Sequence, residues 1–354
     1  SFADTFSSGI ELMAQPHQEK ETATNSPIKV FPIIMKLMAG LVLFLYAVSR
    51  LSEALQKVAG EKMKNILAKF TTNRFAGVLT GTAATTLLDS SSVTIIMVIA
   101  LVNAGLLTFT QSLGVIMGSN IGTTISSQII ALQINEYAPI AMVVGFGCYF
   151  MGKSKKMKRV GMLVFAIGLI FFGLDIMGNA VEPLQKHKPF ISLMTRMENP
   201  ILGALIGAGF TVLIQSSSAT LGIIIILASQ HLISLPAGIA IMLGAEIGTC
   251  ADTLLATIGR TREAVRAGIF HLLFNIITVI IGVIFASQLT ALVQYISGSA
   301  PISRQIANAH LLFNVAGVVL FIGFTPLLAR SLVWLIPDRS QKKQAIRAIQ
   351  PGMG

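Results

Sequence analysis

The sequence predicts an all-α membrane protein of two inverted-topology repeats, with re-entrant helical hairpins and broken transmembrane helices. Its composition is 53% hydrophobic and only 12% charged, whereas soluble globular domains carry about 25% charged residues. The chain also repeats itself: residues 73–123 align without a gap on residues 199–249, and 17 of the 51 aligned pairs are identical. An internal repeat in an apolar chain is typical of transporters with a binding site between the repeats.

Two polar motifs belong to the repeated unit, and an apolar composition does not explain them. One is the serine triplet Ser90–Ser92, which aligns with Ser216–Ser218. The other is a Gly-x-x-Ile-Gly-Thr run, Gly118–Thr123, which aligns with Gly244–Thr249.

The elements follow from the lengths of the apolar runs, since about 20 helical residues cross a hydrocarbon core of about 30 Å. Two runs, 111–133 and 237–257, have glycines at their centres, and we expect each helix to break there. Complete spans are predicted at 31–51, 137–152, 160–178, 265–288 and 304–325.

Two stretches, 75–107 and 201–233, are too long for one crossing and carry the serine triplets at their centres. We interpret them as re-entrant hairpins, because non-helical backbone at membrane depth occurs only where it is buried in protein or lines a wet cavity. The charged amphipathic segment 52–70 is expected to lie at the membrane interface.

Each half would then have three crossings, and an odd number requires that the halves be inverted. Basic loops such as 153–159 and 259–266 place the N-terminus outside and the C-terminus in the cytoplasm, although 180–199 is a modest exception. The predicted divisions are a polar N-terminal segment (1–30), a first transmembrane repeat (31–152), a basic cytoplasmic linker (153–159), a second transmembrane repeat (160–288), an additional C-terminal transmembrane helix (289–336) and a basic cytoplasmic tail (337–354).

Several functional classes do not fit. The net charge of +11 comes mainly from the basic loops, and the sequence has no nucleic-acid-binding module. Cys148 and Cys250 lie apart, without the spacing of a disulfide framework or a metal site. The sequence shows no Ser–His–Asp order, zinc-ligand spacing or P-loop, so we expect neither an enzyme nor a cofactor.

The serine triplets form the predicted anion site. In Thr85–Thr94 and Thr211–Thr220 an apolar half-helix stops, hydroxyls follow, and a second half-helix begins. Serines at the start of a helix can cap it, and the unpaired N–H groups there attract an oxyanion. Small-residue packing between helices is the alternative for a single triplet, but two copies in register favour a binding site.

The second motif, Gly118–Thr124 with its copy Gly244–Cys250, allows two interpretations. The glycines let the helix unwind and expose carbonyls to a cation, or they allow close helix packing. Glu246 within this motif favours a functional role over packing alone, since acidic side chains inside a membrane are costly and usually functional.

Two carboxylates, Asp89 and Glu246, are candidates for cation coordination or proton coupling, and Asp252 and Asp175 are weaker candidates. Asp89 adjoins the first triplet, where it would repel an anion unless cations or protons intervene. His271 and His310 recur in a shared His-Leu-Leu-Phe-Asn pattern. We interpret both histidines as partners in hydrogen bonds between helices.

These motifs resemble the type II sodium-dependent phosphate cotransporter family, which has two inverted repeats. Each repeat of that family carries Gln-Ser-Ser-Ser, followed by Gly-Ser-Asn-Ile-Gly-Thr. Gln215–Ser218 matches the first motif in full, Gly118–Thr123 matches the second, and Ala267–Asn275 fits an Ala-x-x-x-His-x-x-Phe-Asn pattern. The chain looks like a bacterial-type member over about 31–330.

The resemblance implies sodium-driven transport of inorganic phosphate by alternating access in a cell membrane, expected to be a bacterial inner membrane. Membrane lipid and a second copy in a homodimer are expected partners. A PhoU-like helical domain or protein is an expected regulator, and we expect that domain to be absent from this chain or removed. Phosphate is expected at Ser90, Ser91, Ser92, Gln215, Ser216, Ser217 and Ser218, and sodium at Asp89, Asn120, Thr123, Thr124, Thr220, Glu246 and Thr249.

Two departures from the family pattern leave alternatives open. Asp89 replaces the first glutamine, and Glu246 replaces the asparagine of the second Gly-Ser-Asn motif. Both add negative charge, so the number of coupled cations and the choice of anion stay undecided. The alternatives are a phosphate exporter, a carrier of another oxyanion on the same scaffold, and a membrane phosphate sensor that transports nothing.

Overall fold

The computed structural model describes residues 30–337, without the side chains of 58–61. The predicted segment 1–30, apart from its last residue, and the predicted tail 337–354, apart from its first, lie outside this range. The described regular elements are all helices, which confirms the all-α class. They are α1 (Val30–Phe70), α2 (Arg74–Leu88), α3 (Ser91–Asn103), α4 (Phe109–Ile130), α5 (Ala138–Met151), α6 (Lys155–Val181), α7 (Lys188–Arg196), α8 (Pro200–Ile214), α9 (Ser217–Ser229), α10 (Leu235–Gly248), α11 (Cys250–Leu255), α12 (Arg262–Ile284), α13 (Ala286–Ser297), α14 (Ile302–Ile322) and α15 (Thr325–Leu335), with 3₁₀ turns at Asn135–Tyr137 and Glu182–Lys186.

The helices are long and apolar enough for a multi-pass membrane protein. Among the described residues five spans qualify, formed by α1, α6, α10 with α11, α12 and α14, and up to seven if each of two bent helix pairs counts as one. The bent pairs are α4 with α5, at 76°, and α7 with α8, at 101°. The predicted separate crossings 111–133 and 137–152 therefore form one bent pair.

The helix boundaries differ from the predicted divisions at two places. Residues 52–70 do not form a separate helix, because α1 continues through them as one helix of 41 residues. Their position at the membrane interface stays a prediction. Within 52–70 only Gly60 interrupts a run of residues that tolerate helix well. Near the other end, 289–303 contains most of α13, and 289–336 holds two further helices, because Pro326 in the first turn begins a new helix after α14.

Each serine triplet lies at a break between two short helices, as predicted. Helices α2 and α8 have 15 residues, and α3 and α9 have 13. At 1.5 Å per residue each is about 20 Å long, which is too short to cross about 30 Å of hydrocarbon. This length supports re-entrant hairpins, here called hairpin 1 (α2–α3) and hairpin 2 (α8–α9).

The predicted break at the glycine motif is absent from the first repeat. Helix α4 runs unbroken through Gly118–Gly122, and the chain bends only after it. In the second repeat the interruption is a single residue, Thr249, which follows the glycines and keeps helical backbone angles. The glycines therefore do not unwind the helix.

Close packing between helices explains these glycines. A Cβ atom added to Gly118 would lie 2.0 Å from the carbonyl oxygen of Val78, and one added to Gly244 would lie 1.9 Å from that of Ala204. Each hairpin thus presses its first helix directly on the glycine surface of α4 or α10. The two contacts are related by the same shift of 126 residues, so the repeat exists in the packing as well as in the sequence. The orientation of the repeats in the membrane stays a prediction.

Candidate functional site

The two hairpin breaks have the same backbone geometry. The first helix of each hairpin ends at a left-handed residue, Asp89 with φ 52° and Gln215 with φ 59°. Ser90 and Ser216 follow in extended conformation and cap the second helix. Each serine hydroxyl accepts a hydrogen bond from the backbone N–H three residues later, at 3.2 and 3.1 Å. The capping serines thereby fix where the helix starts.

A pair of threonine hydroxyls joins the two helices of each hairpin across the break. Thr85 Oγ1 donates to Thr94 Oγ1 at 2.9 Å, and the hydroxyls of Thr211 and Thr220 lie 2.7 Å apart. Thr94 and Thr220 also donate to the carbonyl of the capping serine, each at 3.1 Å. Because all four threonines are buried, these bonds hold the break in one shape.

Both breaks face one cavity of about 440 Å³, here called the polar cavity. Helices α3 and α9 begin at its wall, so the N-terminal ends of two helices, with their unpaired N–H groups and partial positive charge, meet there. Its lining comprises Leu45, Val48, Ser49, Ser52, Glu53, Gln56, Asp89, Ser90, Ser91, Ser92, Val93, Ile96, Ile214, Gln215, Ser216, Ser217, Ser218, Thr249 and Asp252.

Carboxylates are the only charged groups in this lining, as far as the structure describes it. Glu53 is paired with Arg50 at 2.9 Å. Asp89 accepts a hydrogen bond from Ser126, and Asp252 accepts one from the N–H of Thr253 at 2.7 Å. Neither aspartate has a basic side chain beside it in the lining. The cavity therefore combines hydroxyls and helix N-termini, which suit an oxyanion, with carboxylates, which suit a cation.

The contribution of α1 is the part of the site that the sequence motifs missed. Ser49, Ser52, Glu53 and Gln56 lie on the cavity wall, and Ser52 Oγ donates to the Leu88 carbonyl at the end of α2, at 3.4 Å. Their spacing of three, four and seven residues places them on one face of a helix. That polar face is visible in the sequence, and it could have indicated that α1 forms part of the cavity wall.

The predicted residues divide into two groups. Both triplets, Gln215, Asp89 and Thr249 line the polar cavity. The other five predicted cation ligands do not line it and have protein partners instead. Thr123 and Thr124 donate to backbone carbonyls of α4, Thr220 belongs to the threonine pair, and Asn120 and Glu246 belong to a buried network.

That buried network contains both histidines, which confirms their predicted role between helices. In α14, His310 Nε2 lies 2.7 Å from Glu246 Oε1, and its Nδ1 lies 2.8 Å from Ser127 Oγ. Asn314 also donates to Glu246 Oε1, at 3.1 Å. The Glu246 carboxylate is 4% exposed, so its two partners supply the hydrogen bonds that a buried carboxylate needs.

Helix α12 makes the corresponding hydrogen bonds, but each of its side chains bonds to the other repeat than its counterpart in α14 does. His271 Nδ1 lies 2.9 Å from Thr253 Oγ1 in the second repeat, and Asn275 Oδ1 accepts from Asn120 Nδ2 in the first, at 2.8 Å. Thr253 aligns with Ser127 of the first repeat, and Asn120 aligns with Glu246 of the second. Each helix with the His-Leu-Leu-Phe-Asn pattern, α12 or α14, therefore connects both repeats. The order is crossed: in α14 the asparagine bonds to the second repeat, and in α12 the asparagine bonds to the first.

Metal ligands of the transition-metal kind are not clustered in the described residues. No group of three or more His, Cys, Asp or Glu side chains there could hold a metal ion. Cys148 and Cys250 are both free. The oxygen-rich polar cavity is the place where a hard monovalent cation would find ligands.

Comparison with known proteins supports a transport role for this scaffold. A Bacillus subtilis protein called "Uncharacterized protein YqeW" is 28% identical over 308 residues, which cover 87% of this chain and 99% of that protein. A Salmonella typhimurium protein called "Putative inorganic phosphate export protein YjbB" is 23% identical over 310 residues, or 87% of this chain, and this chain spans 56% of its length. No solved structure matches.

A human relative and a family model complete the comparison. Human "Sodium-dependent phosphate transport protein 2B" is 32% identical over 145 residues, which are 38% of this chain and 20% of that protein. The model described as Na+/Pi-cotransporter matches residues 43–179 and 182–302. These ranges include both hairpins, both glycine motifs and the part of α1 that lines the polar cavity. The chain belongs to the Na+/Pi-cotransporter family.

Proposed function

We propose that this protein transports inorganic phosphate across a membrane by alternating access, coupled to sodium ions. The observation that carries the proposal is the shared lining of the polar cavity, where both serine triplets meet next to Asp89. In this arrangement the hydroxyls and N-terminal amides of α3 and α9 hold the phosphate oxygens. Ser91 and Ser217, each 5% exposed, occupy the first helical positions at the two breaks.

The charge of the cavity supports coupling to cations. A unit anion 4 Å from a carboxylate is repelled by about 4 kcal/mol at an effective dielectric constant of 20. Phosphate therefore enters beside Asp89 and Asp252 only if positive charge accompanies it, and the described lining supplies no basic side chain. Sodium ions bound between the aspartates, Gln215 and the hydroxyls would provide that charge.

Uptake into liposomes tests the proposal. Purified protein is reconstituted, and labelled phosphate is followed with an inward gradient of sodium or, as the control, of potassium. We expect accumulation only with sodium. Equal accumulation in potassium would remove sodium coupling, whereas binding without any flux would favour a sensor.

A substitution in the triplet tests the location of the site. Ser217→Leu should reduce phosphate uptake to the level of empty liposomes, because the larger side chain fills the cavity at the start of α9. Ser331→Leu, on an exposed part of α15, is the matched control and should transport normally. Normal uptake by Ser217→Leu would show that phosphate binds elsewhere.

Export is the second candidate, and one observation favours it: the Salmonella relative, matched over 87% of this chain, carries phosphate export in its name. The same cavity serves either direction, since the ion gradients decide the direction of flux. Right-side-out and inverted membrane vesicles separate the two. Net phosphate loss from loaded right-side-out vesicles, under an inward sodium gradient, would indicate export.

A further inference from the structure

A second cavity adjoins the polar one and has the opposite character. Its volume is about 280 Å³, and eleven of its fifteen lining residues are apolar. It lies among α1, hairpin 1, α4, α6 and the start of α9. We call it the apolar annex. Val48, Asp89 and Ser218 line both cavities, so these three side chains form the boundary between them.

The annex reaches the outer surface of the helix bundle. Ile125 and Ile129 of α4 and Ile167 of α6 line it and are 37%, 48% and 40% exposed. The annex therefore leads from the exposed surface between α4 and α6 to the carboxylate and serine at the wall of the polar cavity. In a bilayer, an exposed apolar surface of this kind would suit contact with hydrocarbon.

We infer that the site binds phosphate monoesters and phosphonates that carry one alkyl chain, with the headgroup in the polar cavity and the chain in the annex. This inference rests on the proposed function for the position of the headgroup. The chain is recognised by area alone, because the half-buried Leu51, Leu55 and Leu163 offer apolar surface and burial of apolar surface is favourable. Inorganic phosphate leaves the annex unused.

The chain-length dependence of binding tests this inference. Methyl-, butyl-, hexyl- and octylphosphonate compete with labelled phosphate for uptake into liposomes that contain the protein. Burial of each additional methylene should lower the half-inhibitory concentration about fourfold until the annex is full. Equal potency for all members in a protein that transports phosphate would overturn the inference.

Two matched tryptophan variants separate the annex from general membrane partition. Leu163→Trp places bulk in the annex, where Leu163 is half-buried. It should keep phosphate uptake and flatten the chain-length series. Val143→Trp, on the exposed face of α5, should keep both. A series that is equally steep in both variants would assign the chain effect to the bilayer and overturn the inference.

Two further arms identify the headgroup and the source of the chain. Octyltrimethylammonium should not compete, and competition equal to that of octylphosphonate would remove the headgroup requirement. Lysophosphatidate in the bilayer should inhibit if the chain enters from lipid. No inhibition by lysophosphatidate, with octylphosphonate still potent, would mean that the chain enters from water.

The experiments distinguish a wrong transport role from a wrong assignment of alkyl-chain binding to the annex. If the wild-type protein neither binds nor transports phosphate, calorimetry compares butyl- with octylphosphonate in the wild type and in Leu163→Trp. Tighter octyl binding that Leu163→Trp abolishes would keep the annex without the transport role. Equal heats for both chain lengths would remove the annex as well.

Discussion

Asp89 and Gln215 occupy equivalent left-handed positions in the two hairpins, and only Asp89 carries a charge. The difference is consequential because both side chains line the polar cavity. A left-handed residue is tolerated more readily as aspartate or asparagine than as most other residues. Asparagine can thus replace Asp89 with the backbone turn intact, so a functional effect of that change reports on charge.

Asp89→Asn should change the sodium dependence of phosphate uptake, because one carboxylate ligand and one negative charge leave the cavity. We expect a higher half-saturating sodium concentration or a lower Hill coefficient. Asp175→Asn on α6, outside the cavity lining, is the control and should match the wild type. Identical sodium curves for Asp89→Asn and the wild type would place Asp89 away from the coupling ion.

His310 is a hydrogen-bond partner of the buried Glu246 carboxyl, which lies outside the cavity. Its removal in His310→Ala leaves Glu246 with Asn314 as its remaining side-chain donor. A buried acceptor that loses a hydrogen-bond partner costs about 1–3 kcal/mol, so the unfolding temperature in detergent should fall clearly. Adding Glu246→Gln replaces the carboxyl with a neutral amide, which costs less to leave without this partner, and should restore part of the loss. Losses that simply add in the double variant would refute the pairing.

The packing of each hairpin on its neighbouring helix is decided by single glycines. On α8, a Cβ added to Gly207 would lie 2.0 Å from the carbonyl oxygen of Ile241, whereas one added to Gly209 meets nothing within 4 Å. The two positions share one helix and differ in face. They therefore provide a test of hairpin packing in which helix propensity is held constant.

Gly207→Ala should destabilise the protein by about 1–3 kcal/mol, because the helices must separate to admit a methyl group. Gly209→Ala should be neutral or stabilising by up to about 1 kcal/mol, since alanine favours helix. Thermal unfolding of the purified variants in one detergent measures both. Similar unfolding temperatures would mean that α8 does not pack tightly on α10.

Elements that depend on local sequence could be predicted, whereas those that depend on a neighbouring helix could not. Hairpin breaks are local, because a polar cluster between two short apolar runs indicates them directly. The glycine motifs were ambiguous, since unwinding and close packing both require glycine and only the neighbouring helix distinguishes them. The continuation of α1 through 52–70 was missed because charge suggested an interface, while the helix simply continues.

At the scale of the whole molecule, the repeat predicted that both triplets would meet, and they do line one cavity. The repeated motifs did not indicate which helix closes that cavity, because the polar face of α1 lies outside the aligned repeat. It also did not show that α12 and α14 are counterparts. Their shared His-Leu-Leu-Phe-Asn pattern recurs 39 residues apart, a spacing unrelated to the shift of 126, so only their crossed hydrogen bonds reveal the relation.

The crossed network is the pattern expected of two repeats related by a two-fold axis, and an axis in the membrane plane would invert them. Thr72 and Glu198 precede the two hairpins at equivalent, exposed positions. In a Cys148→Ala background, with buried Cys250 shielded, an impermeant maleimide should label Thr72→Cys only from the cytoplasmic side. Glu198→Cys should be labelled only from outside. Ser154→Cys, in the predicted cytoplasmic linker, should be labelled from the same side as Thr72→Cys. Labelling of both positions from one side would mean parallel repeats. Labelling of Thr72→Cys from outside would contradict the predicted placement of the N-terminus outside.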